Sequence, residues 1–469
     1  MRYNRTLFLL LVVALMFSSC SLYKVRKDVA PPMDIPDEYS LKAGKGTIPE
    51  RWWEAFGDER LNALVSEALS ANLDIAQAWA RLDQSDAIAV KSASSRLPSV
   101  TFEGSTTRSR AYVSSDPVLT RQHSLGLAAS YEIDLWGRVR SLDMASRLDS
   151  VAVRLDLETI AMSLSAQVVQ TWFSLIEQTS QMGLTQTQVD ASATQLDLVK
   201  LRFSRGLASA LDIYQQRRQL AALKAQIPLI RAQINILVHQ LNVLLGKSPG
   251  EPLENIPREF PEIWAMPTPG IPADLLTRRP DVEAARIRVE AADRRVAAAI
   301  SERFPRITIS ASKGYGAKSF ADLFDRMIWN ITGGMVATIY DGGSKSAEVE
   351  RTKAVVEERV YAYGQVVLAA LAEVEDSLER EVRQVEYVNR LGEQLTLSEK
   401  TLDEAYNQYT NGLSDYLTVL NSLNSLQQTQ RELLTARATF ISYRIALCRS
   451  LGGTWTGEIK RENQTGEKS

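Results

Sequence analysis

Hydrophobic residues recur at every second position in short stretches of the chain. The clearest, SLGLAASYEIDLW, has apolar side chains at alternate positions from Leu125 to Leu135, which predicts a β-strand with one apolar face. The stretches RITISAS at 306–312 and WNITGGMVATIYD at 329–341 predict two more strands, and a fourth begins at Val100. The four predicted strands form two pairs that lie far apart in the sequence.

Much longer segments without this alternation predict helices. The segment 138–205 has no proline and only Gly183 as an interruption, so it predicts one helix of about 100 Å that Gly206 ends. Residues 344–410 predict its counterpart, which Gly412 ends. The shorter predicted helices are 58–96, 208–245, 280–303 and 414–451. Two short helices stacked end to end would match one long helix, which predicts helices lying side by side in a bundle or tube.

The same layout occurs twice, with a period of about 206 residues. LPSVTFEGS corresponds to FPRITISAS, FSRGLASALDI to YTNGLSDYLTV, and LLGKSPG to SLGGTWTG, always in one order. A proline-rich connector, 257–273, lies between the two copies. The chain is therefore predicted to be a tandem structural duplication.

The first residues predict export. Arg2 and Arg5 precede about 11 mostly apolar residues, a pattern typical of a secretory signal peptide and too short for a membrane-spanning helix. Cys20 follows two small serines and resembles the cysteine of a bacterial lipobox, which becomes the acylated N-terminus after cleavage. The alternative is an ordinary signal peptide whose cysteine is accidental. The predicted divisions are a signal peptide at 1–19, a lipid-anchored segment at 20–57, repeats at 58–256 and 274–453, and a C-terminal tail at 454–469.

The strands indicate how the chain would enter a membrane. No apolar stretch after residue 20 is expected to reach the length of a membrane-spanning helix, whereas each predicted strand is about 10 residues, long enough for a tilted transmembrane strand. Four strands cannot close a barrel alone, because the smallest such barrels have about eight, so several copies must contribute. The alternative is a soluble β-sandwich that buries its apolar rows elsewhere.

Composition excludes several other classes. Net charge is −2, so nothing indicates a nucleic-acid partner. The only histidines, His123 and His239, lie far apart, and Cys448 is the only cysteine besides Cys20, so we expect no metal site, no cofactor and no enzyme activity. The sequence GKS at 246–248 has Leu241 where a phosphate-binding loop requires glycine, so it is interpreted as a helix end.

Several motifs together resemble the TolC-like outer-membrane efflux proteins, in their lipidated subgroup. They are residues 269–312 with YEIDLWGRVRS, FSRGLASALDI, IYDGGSKSAEVE and YTNGLSDYLTVLNS, and the match extends over nearly all of 50–453. The resemblance implies a mainly α fold with a membrane β-barrel, in which three chains share a twelve-stranded barrel in the outer membrane and a long α-helical barrel in the periplasm. It also implies a periplasmic adaptor and an inner-membrane pump of the resistance-nodulation-division type, with this chain as a passive exit duct for drugs, dyes, detergents or metal ions.

The family closes its periplasmic tip, which places the predicted gate at the two turns after Gly206 and Gly412. Asp212 is a candidate latch that bonds a neighbouring helix, with Tyr409 as its partner; the alternative is that Asp212 completes a capping box with Ser209. The remaining gate candidates lie in the second turn: Asp415, predicted to cap the next helix, and Thr418 and Asn421. The family commonly has carboxylates at the positions of Thr418 and Asn421, so the neutral residues here do not predict an acidic ring.

Two functions of other classes compete with an exit duct. A lipid-anchored coiled-coil spacer or adhesin of the envelope would use the helices but has no use for four lipid-facing strands. A secreted hydrolase would need a catalytic constellation that the sequence lacks. Within the duct hypothesis, the cargo is set by the pump, so export of small molecules, metal ions or proteins is compatible with the sequence.

Overall fold

Helices dominate the structure, a computed structural model that describes residues 23–25, 29–41, 50–113, 116–253, 255–453 and 455–458. In these ranges the elements are α1 Glu59–Ala71, α2 Leu73–Ser94, β1 Ser99–Val113, β2 Asp116–Ile133, α3 Arg138–Ser204, α4 Ala210–Leu244, α5 Leu275–Arg278, α6 Pro280–Ser301, β3 Arg306–Ala317, β4 Met327–Val336, α7 Ser344–Thr410 and α8 Tyr416–Ser450. The prediction of a mainly α chain with four strands is confirmed.

The two halves are copies in length as well as in order. Helices α3 and α7 each have 67 residues and begin 206 residues apart, at Arg138 and Ser344. Helices α4 and α8 each have 35 residues and begin at Ala210 and Tyr416, with the same spacing. Insertions and deletions between the halves are thus confined to the strands and the short helices, and the predicted duplication is confirmed.

The four strands form one antiparallel sheet in the order β1-β2-β3-β4. Phe102 lies opposite Leu127, Leu127 opposite Lys313, and Lys313 opposite Trp329, which fixes the register across all four strands. The strands differ from their predicted bounds in both directions. The β1–β2 hairpin is longer, because residues 116–123 continue the ladder, and β4 ends at Val336 instead of 341.

Two compact units can be separated, and neither coincides with a repeat. Within the described residues, one comprises the chain before 34 with 80–155 and 283–366, and contains the sheet; the other comprises 34–79, 156–282 and the chain after 366. The core of the second unit is rich in aromatic side chains. Trp172 is fully buried and donates from its Nε1 to the carboxylate of Asp58 at 2.8 Å, and Asp58 also caps α1 by accepting from the backbone of Arg60 and Leu61. The carboxylate that caps α1 therefore also accepts the hydrogen bond of the buried Trp172 indole N–H.

The helix predicted over 58–96 is interrupted, which corrects the sequence-based bounds. The backbone of Asn72 is extended, and its side chain accepts from Asp74 N at 2.8 Å and donates to Leu244 O, the last residue of α4, at 2.9 Å. The second half repeats this arrangement, because Arg279 separates α5 from α6 and donates to Ser450 O, the last residue of α8, at 3.3 Å. In both halves one side chain closes the carbonyl end of a helix distant in sequence.

The expectation that no segment after residue 20 is apolar enough to span a membrane is wrong for helix α3. Among the described residues, it alone contains an 18-residue window that meets this criterion by length and composition, with a mean hydropathy of 1.2. Of that window, 61% is buried inside the chain, as in the core helix of a folded protein. Phe173 and Ile176, for example, belong to the core around Trp172. The apolar segment is therefore accounted for by packing within the chain.

The connector 257–273 is fixed by a buried ion pair. Arg444 of α8 donates from its Nε to both carboxylate oxygens of Glu381 of α7 at 3.0 Å, and from Nη1 to the carbonyl of Trp264 at 2.7 Å. The side chains of Arg444 and Glu381 are only 2% and 1% exposed. The guanidinium lies 5.1 Å from the centroid of the Trp264 ring. One arginine thus joins two helices to the segment that links the repeats.

Candidate functional site

Each long helix ends in a turn of the same geometry. Gly206 and Gly412 have φ of 75° and 73°, in the left-handed region that glycine adopts without strain. Leu207 N donates to Arg202 O at 2.9 Å and Leu413 N to Gln408 O at 2.8 Å, so equivalent bonds close both helix ends. The two glycines are confirmed as helix ends.

The polar residues after these turns cap the next helices. Asp212 accepts from the backbone of Ser209 at 2.9 Å, while its own N–H donates to the Ser209 hydroxyl at 3.2 Å, which is a complete capping box. Asp415 caps α8 by accepting from the backbone N–H of Thr418 at 3.1 Å and from its hydroxyl at 3.0 Å. The capping interpretation of Asp212 and Asp415 is confirmed.

The predicted partner of Asp212 lies elsewhere. Tyr409 is buried in an apolar cluster, and the guanidinium of Arg202 lies 4.4 Å from the centroid of its ring. Among the described residues, the Tyr409 hydroxyl has no hydrogen-bond partner, so one chain alone does not contain the proposed Asp212–Tyr409 bond. The latch thus stays a prediction about an assembly of several chains.

Tyr416, the first residue of α8, anchors this cluster and was not among the residues predicted from the sequence. It is 2% exposed, and its hydroxyl donates to Gln216 Oε1 of α4 at 2.8 Å. The amide of Gln216 in turn donates to the backbone carbonyl of Ser192 in α3 at 2.9 Å. Burial raises the pKa of Tyr416, so its hydroxyl remains a donor at neutral pH. The signal in the sequence was its position, directly after the predicted helix cap Asp415.

The two neutral gate candidates are on the surface of the chain. Thr418 and Asn421 are exposed, and the exposed row continues along α8 through Ser425 and Gln428. All four side chains are uncharged. Cys20, the candidate lipidation site, lies outside the described residues.

The sheet has two chemically different faces. Residues directly opposite one another share a face and successive residues alternate, so the register assigns every side chain. From Ile133 to Leu125 the face that carries Leu127 is apolar except for Lys313, whereas nearer the tip of the β1–β2 hairpin the same face carries polar and basic side chains. The opposite face is rich in hydroxyl groups. The apolar face comprises Val100, Phe102, Leu125, Leu127, Ala129, Tyr131, Ile133, Ile307, Ile309, Ala311, Tyr315, Met327, Trp329, Ile331 and Met335. The hydroxyl face includes Ser99, Thr101, Ser105, Thr107, Ser124, Ala128, Ser130, Thr308, Ser310, Ser312, Asn330 and Thr332, together with the charged residues Glu103, Asp116, Glu132 and Arg306.

Comparison with known proteins accounts for this combination of long helices and a two-faced sheet. The family model described as outer membrane efflux protein matches twice, at residues 64–247 and 271–453. The chain is 31% identical to the pyoverdine export outer membrane protein OpmQ of Pseudomonas putida, covering 92% of this chain and 93% of that protein. It is 27% identical to the toluene efflux pump outer membrane protein TtgF, also of Pseudomonas putida, covering 96% and 97%. The solved structure of the outer-membrane channel OprN superposes with a TM-score of 0.86 at 28% identity, covering 92% of this chain and 98% of that one.

Proposed function

The chain belongs to the outer membrane efflux protein family, and we propose that three copies of it, joined to a periplasmic adaptor and an inner-membrane pump, form the exit duct of a tripartite efflux system. The chain is an outer-membrane channel component of an efflux system that extends into the periplasm, and its family consists of channel and transport proteins.

The main support for a trimer is that the four-stranded sheet of one chain is open. In the described residues, β1 and β4 pair on one side only, which leaves their outer N–H and C=O groups without strand partners. Unpaired backbone groups in hydrocarbon cost several kcal/mol each, so a sheet in the membrane must close. Three copies of four strands give twelve, within the range of bacterial barrels, whereas one copy gives too few.

The two faces of the sheet support the orientation of such a barrel. We assign the apolar face, with Leu127 and Trp329, to lipid, and the hydroxyl face, with Thr101 and Ser312, to the water-filled lumen. Lys313, the charged exception within the apolar rows between Leu125 and Ile133, has a long stem that lets its ammonium group reach water or headgroups. The charged residues Glu103, Glu132 and Arg306 lie on the hydroxyl face as well, which suits a surface in contact with water.

In this proposal the inner-membrane pump selects the cargo, and the outer-membrane channel only lets it pass. OpmQ is named for pyoverdine export and TtgF for toluene efflux, so similar outer membrane proteins serve chemically unrelated solutes. We assign to this chain the export of small molecules that the pump selects. The spacer hypothesis is not favoured by these similarities. Cys20 supplies a lipid anchor to each copy in addition to the barrel.

The test is the mass of the full chain purified in mild detergent, followed by conductance in planar bilayers. We expect a complex of three chains that forms a water-filled channel. A folded, monodisperse monomer would refute the shared barrel. Expression with a cognate adaptor and pump, in a strain that lacks its own outer membrane channel, should restore resistance to the pump's substrates.

The anchor has its own test. Metabolic labelling with palmitate should tag the wild-type chain and not Cys20→Ala. Equal labelling of both proteins would show that the chain is not acylated at this cysteine, without affecting the conclusion on the barrel.

A further inference from the structure

The far end of the β1–β2 hairpin carries a cluster of arginines on the side that is apolar elsewhere. Arg108 lies directly opposite Arg121, and Arg110 opposite Leu119. By strand alternation all three arginines share the face of Phe102 and Leu127. One row closer to the helices, the Thr106 hydroxyl lies 3.1 Å from His123 Nδ1 on the same face. The composition of this face thus changes from apolar to basic within a few residues.

The pair Arg108–Arg121 has no compensating charge in the part of the chain that the structure describes. No carboxylate there lies within 4.0 Å of either guanidinium, whereas Arg138, Arg279 and Arg444, for example, each pair with a carboxylate. The nearest carboxylates along the strands, Glu103 and Asp116, alternate onto the hydroxyl face. The turn between β3 and β4, whose Phe320 ring lies 5.5 Å from that of His123, also supplies none.

Like charges directly opposite one another destabilise a strand pair, so an anion bound between the two guanidinium groups would relieve their repulsion. Arg110 differs, because its guanidinium lies 5.5 Å from the centroid of the Tyr112 ring and gains a cation–π contact. Arg108 and Arg121 are both exposed and can present their guanidinium forks side by side. Two adjacent forks match a phosphate group, which arginine binds with paired hydrogen bonds.

The height of the pair fits a lipid headgroup. Arg121 lies 12 residues from Ile133, the helix-proximal end of β2, which is about 40 Å along the strand. At a tilt of about 45° this gives roughly 28 Å, close to the height of about 25 Å that the apolar band of such barrels has. The pair is therefore placed at the outer boundary of the band, with Leu125 and Phe102 below it.

We propose that Arg108 and Arg121 bind the phosphate of a lipid in the outer leaflet, a phosphorylated glycolipid of the lipopolysaccharide type. The acyl chains lie against the apolar rows of β1 and β2, and the phosphate neutralises both guanidinium groups. This inference depends on the assignment of the apolar face to lipid in the proposed function. The proposal adds a lipid-binding site to the barrel, and a lipid bound there would stabilise the folded barrel.

The test is a titration of the full chain in detergent with bisphosphorylated lipid A, followed by native mass spectrometry. We expect R108Q/R121Q to bind this lipid about tenfold more weakly than the wild type, because charge-assisted hydrogen bonds to phosphate are lost. The matched control K318Q/R326Q removes the same charge from the β3–β4 turn and should bind like the wild type. Lipid A that lacks both phosphates should bind weakly to all three proteins.

Three outcomes would overturn the proposal. They are equal affinity of R108Q/R121Q and the wild type, equal loss in K318Q/R326Q, and displacement of the lipid by inorganic phosphate at the same concentration, which would indicate a site for free anions. The same spectra report the number of chains in the complex. Failure of the trimer and failure of the lipid site are therefore recorded separately.

Discussion

Glu381→Gln removes the negative charge from the buried ion pair that holds the connector between the repeats. The substitution is nearly isosteric and keeps one carbonyl oxygen that can accept from Arg444. It leaves the guanidinium of Arg444, which is 2% exposed, without a counterion. Because arginine cannot lose its proton under ordinary conditions, the charge must either stay buried or draw the surrounding segment open to water.

The structure sets the size of the effect. Removing one partner of a buried ion pair costs about 3–5 kcal/mol. Arg444 retains two acceptors in this variant, the oxygen of the new amide at position 381 and the Trp264 carbonyl at 2.7 Å, which place the cost near the lower limit, about 3 kcal/mol. Since about 1.4 kcal/mol is a factor of ten, local opening around the connector 257–273 should become about a hundredfold more frequent.

Limited proteolysis of the detergent-purified protein measures this opening, with the fragments mapped to the connector, and denaturant unfolding gives the global stability. Glu379→Gln is the matched control, because Glu379 pairs on the same helix with Arg383 at 2.9 Å but both side chains are more than half exposed. We expect it to behave like the wild type. The double variant E381M/R444M should recover most of the loss, although Trp264 O then lacks its donor. If Glu381→Gln is cleaved no faster than Glu379→Gln, the pair does not hold the connector.

Three further predictions concern the sheet, the turns and the remaining thiol. Ala129→Arg should lower outer-membrane yield strongly and Ala128→Arg only slightly, because a charge at mid-bilayer on the lipid face costs about 2–4 kcal/mol while the lumen tolerates it; equal yields would contradict the facing. In planar bilayers, Asp212→Ala should give larger and longer openings and Ser209→Ala little change, although both lose a bond of the capping box; identical traces would leave Asp212 as a cap only. Burial raises the pKa of Cys448 to about 12, so the thiol stays protonated at about pH 8 and iodoacetamide should label it only after unfolding; rapid labelling of the native protein would disprove its burial.

Local patterns predicted the long helices and their ends. The ends of α3 and α7 were recognisable because the chain there contains no proline and then a glycine, Gly206 or Gly412, that alone adopts the left-handed backbone without strain. The break between α1 and α2 was missed, because α1 and α2 have similar compositions. The interruption at Asn72 depends on the carbonyl of Leu244, 172 residues away in the sequence. The sequence around Asn72 does not show that its side chain will bond to Leu244, so the break could not be predicted from it.

The chemistry of the candidate site divides in the same way. The caps formed by Ser209 with Asp212 and by Asp415 with Thr418 are local motifs, and the sequence predicted them. The bond from Tyr416 to Gln216 and the pair of Arg444 with Glu381 join different helices. They follow from the mutual alignment of helices about 50–100 Å long, which periodicity alone does not specify. The basic end of the hairpin required the strand register.

The packing at the turns indicates which contacts could change if the tip of the proposed trimer opens and closes as predicted. One apolar cluster includes Val199 of α3, Tyr409 of α7 and Tyr416 of α8, with Ile213 of α4 packed against it. These four helices therefore meet in a single buried cluster, and separating them would expose apolar surface, at a cost of about 25 cal/mol per Å². We expect opening to proceed between chains, with each chain's turns moving as one body. Asp212 is only half-buried and lies beside exposed neighbours, so a bond from it to another chain could break without disturbing the cluster. The comparison of Asp212→Ala with Ser209→Ala tests this division, because only a contact between chains would change conductance while the helix caps weaken equally.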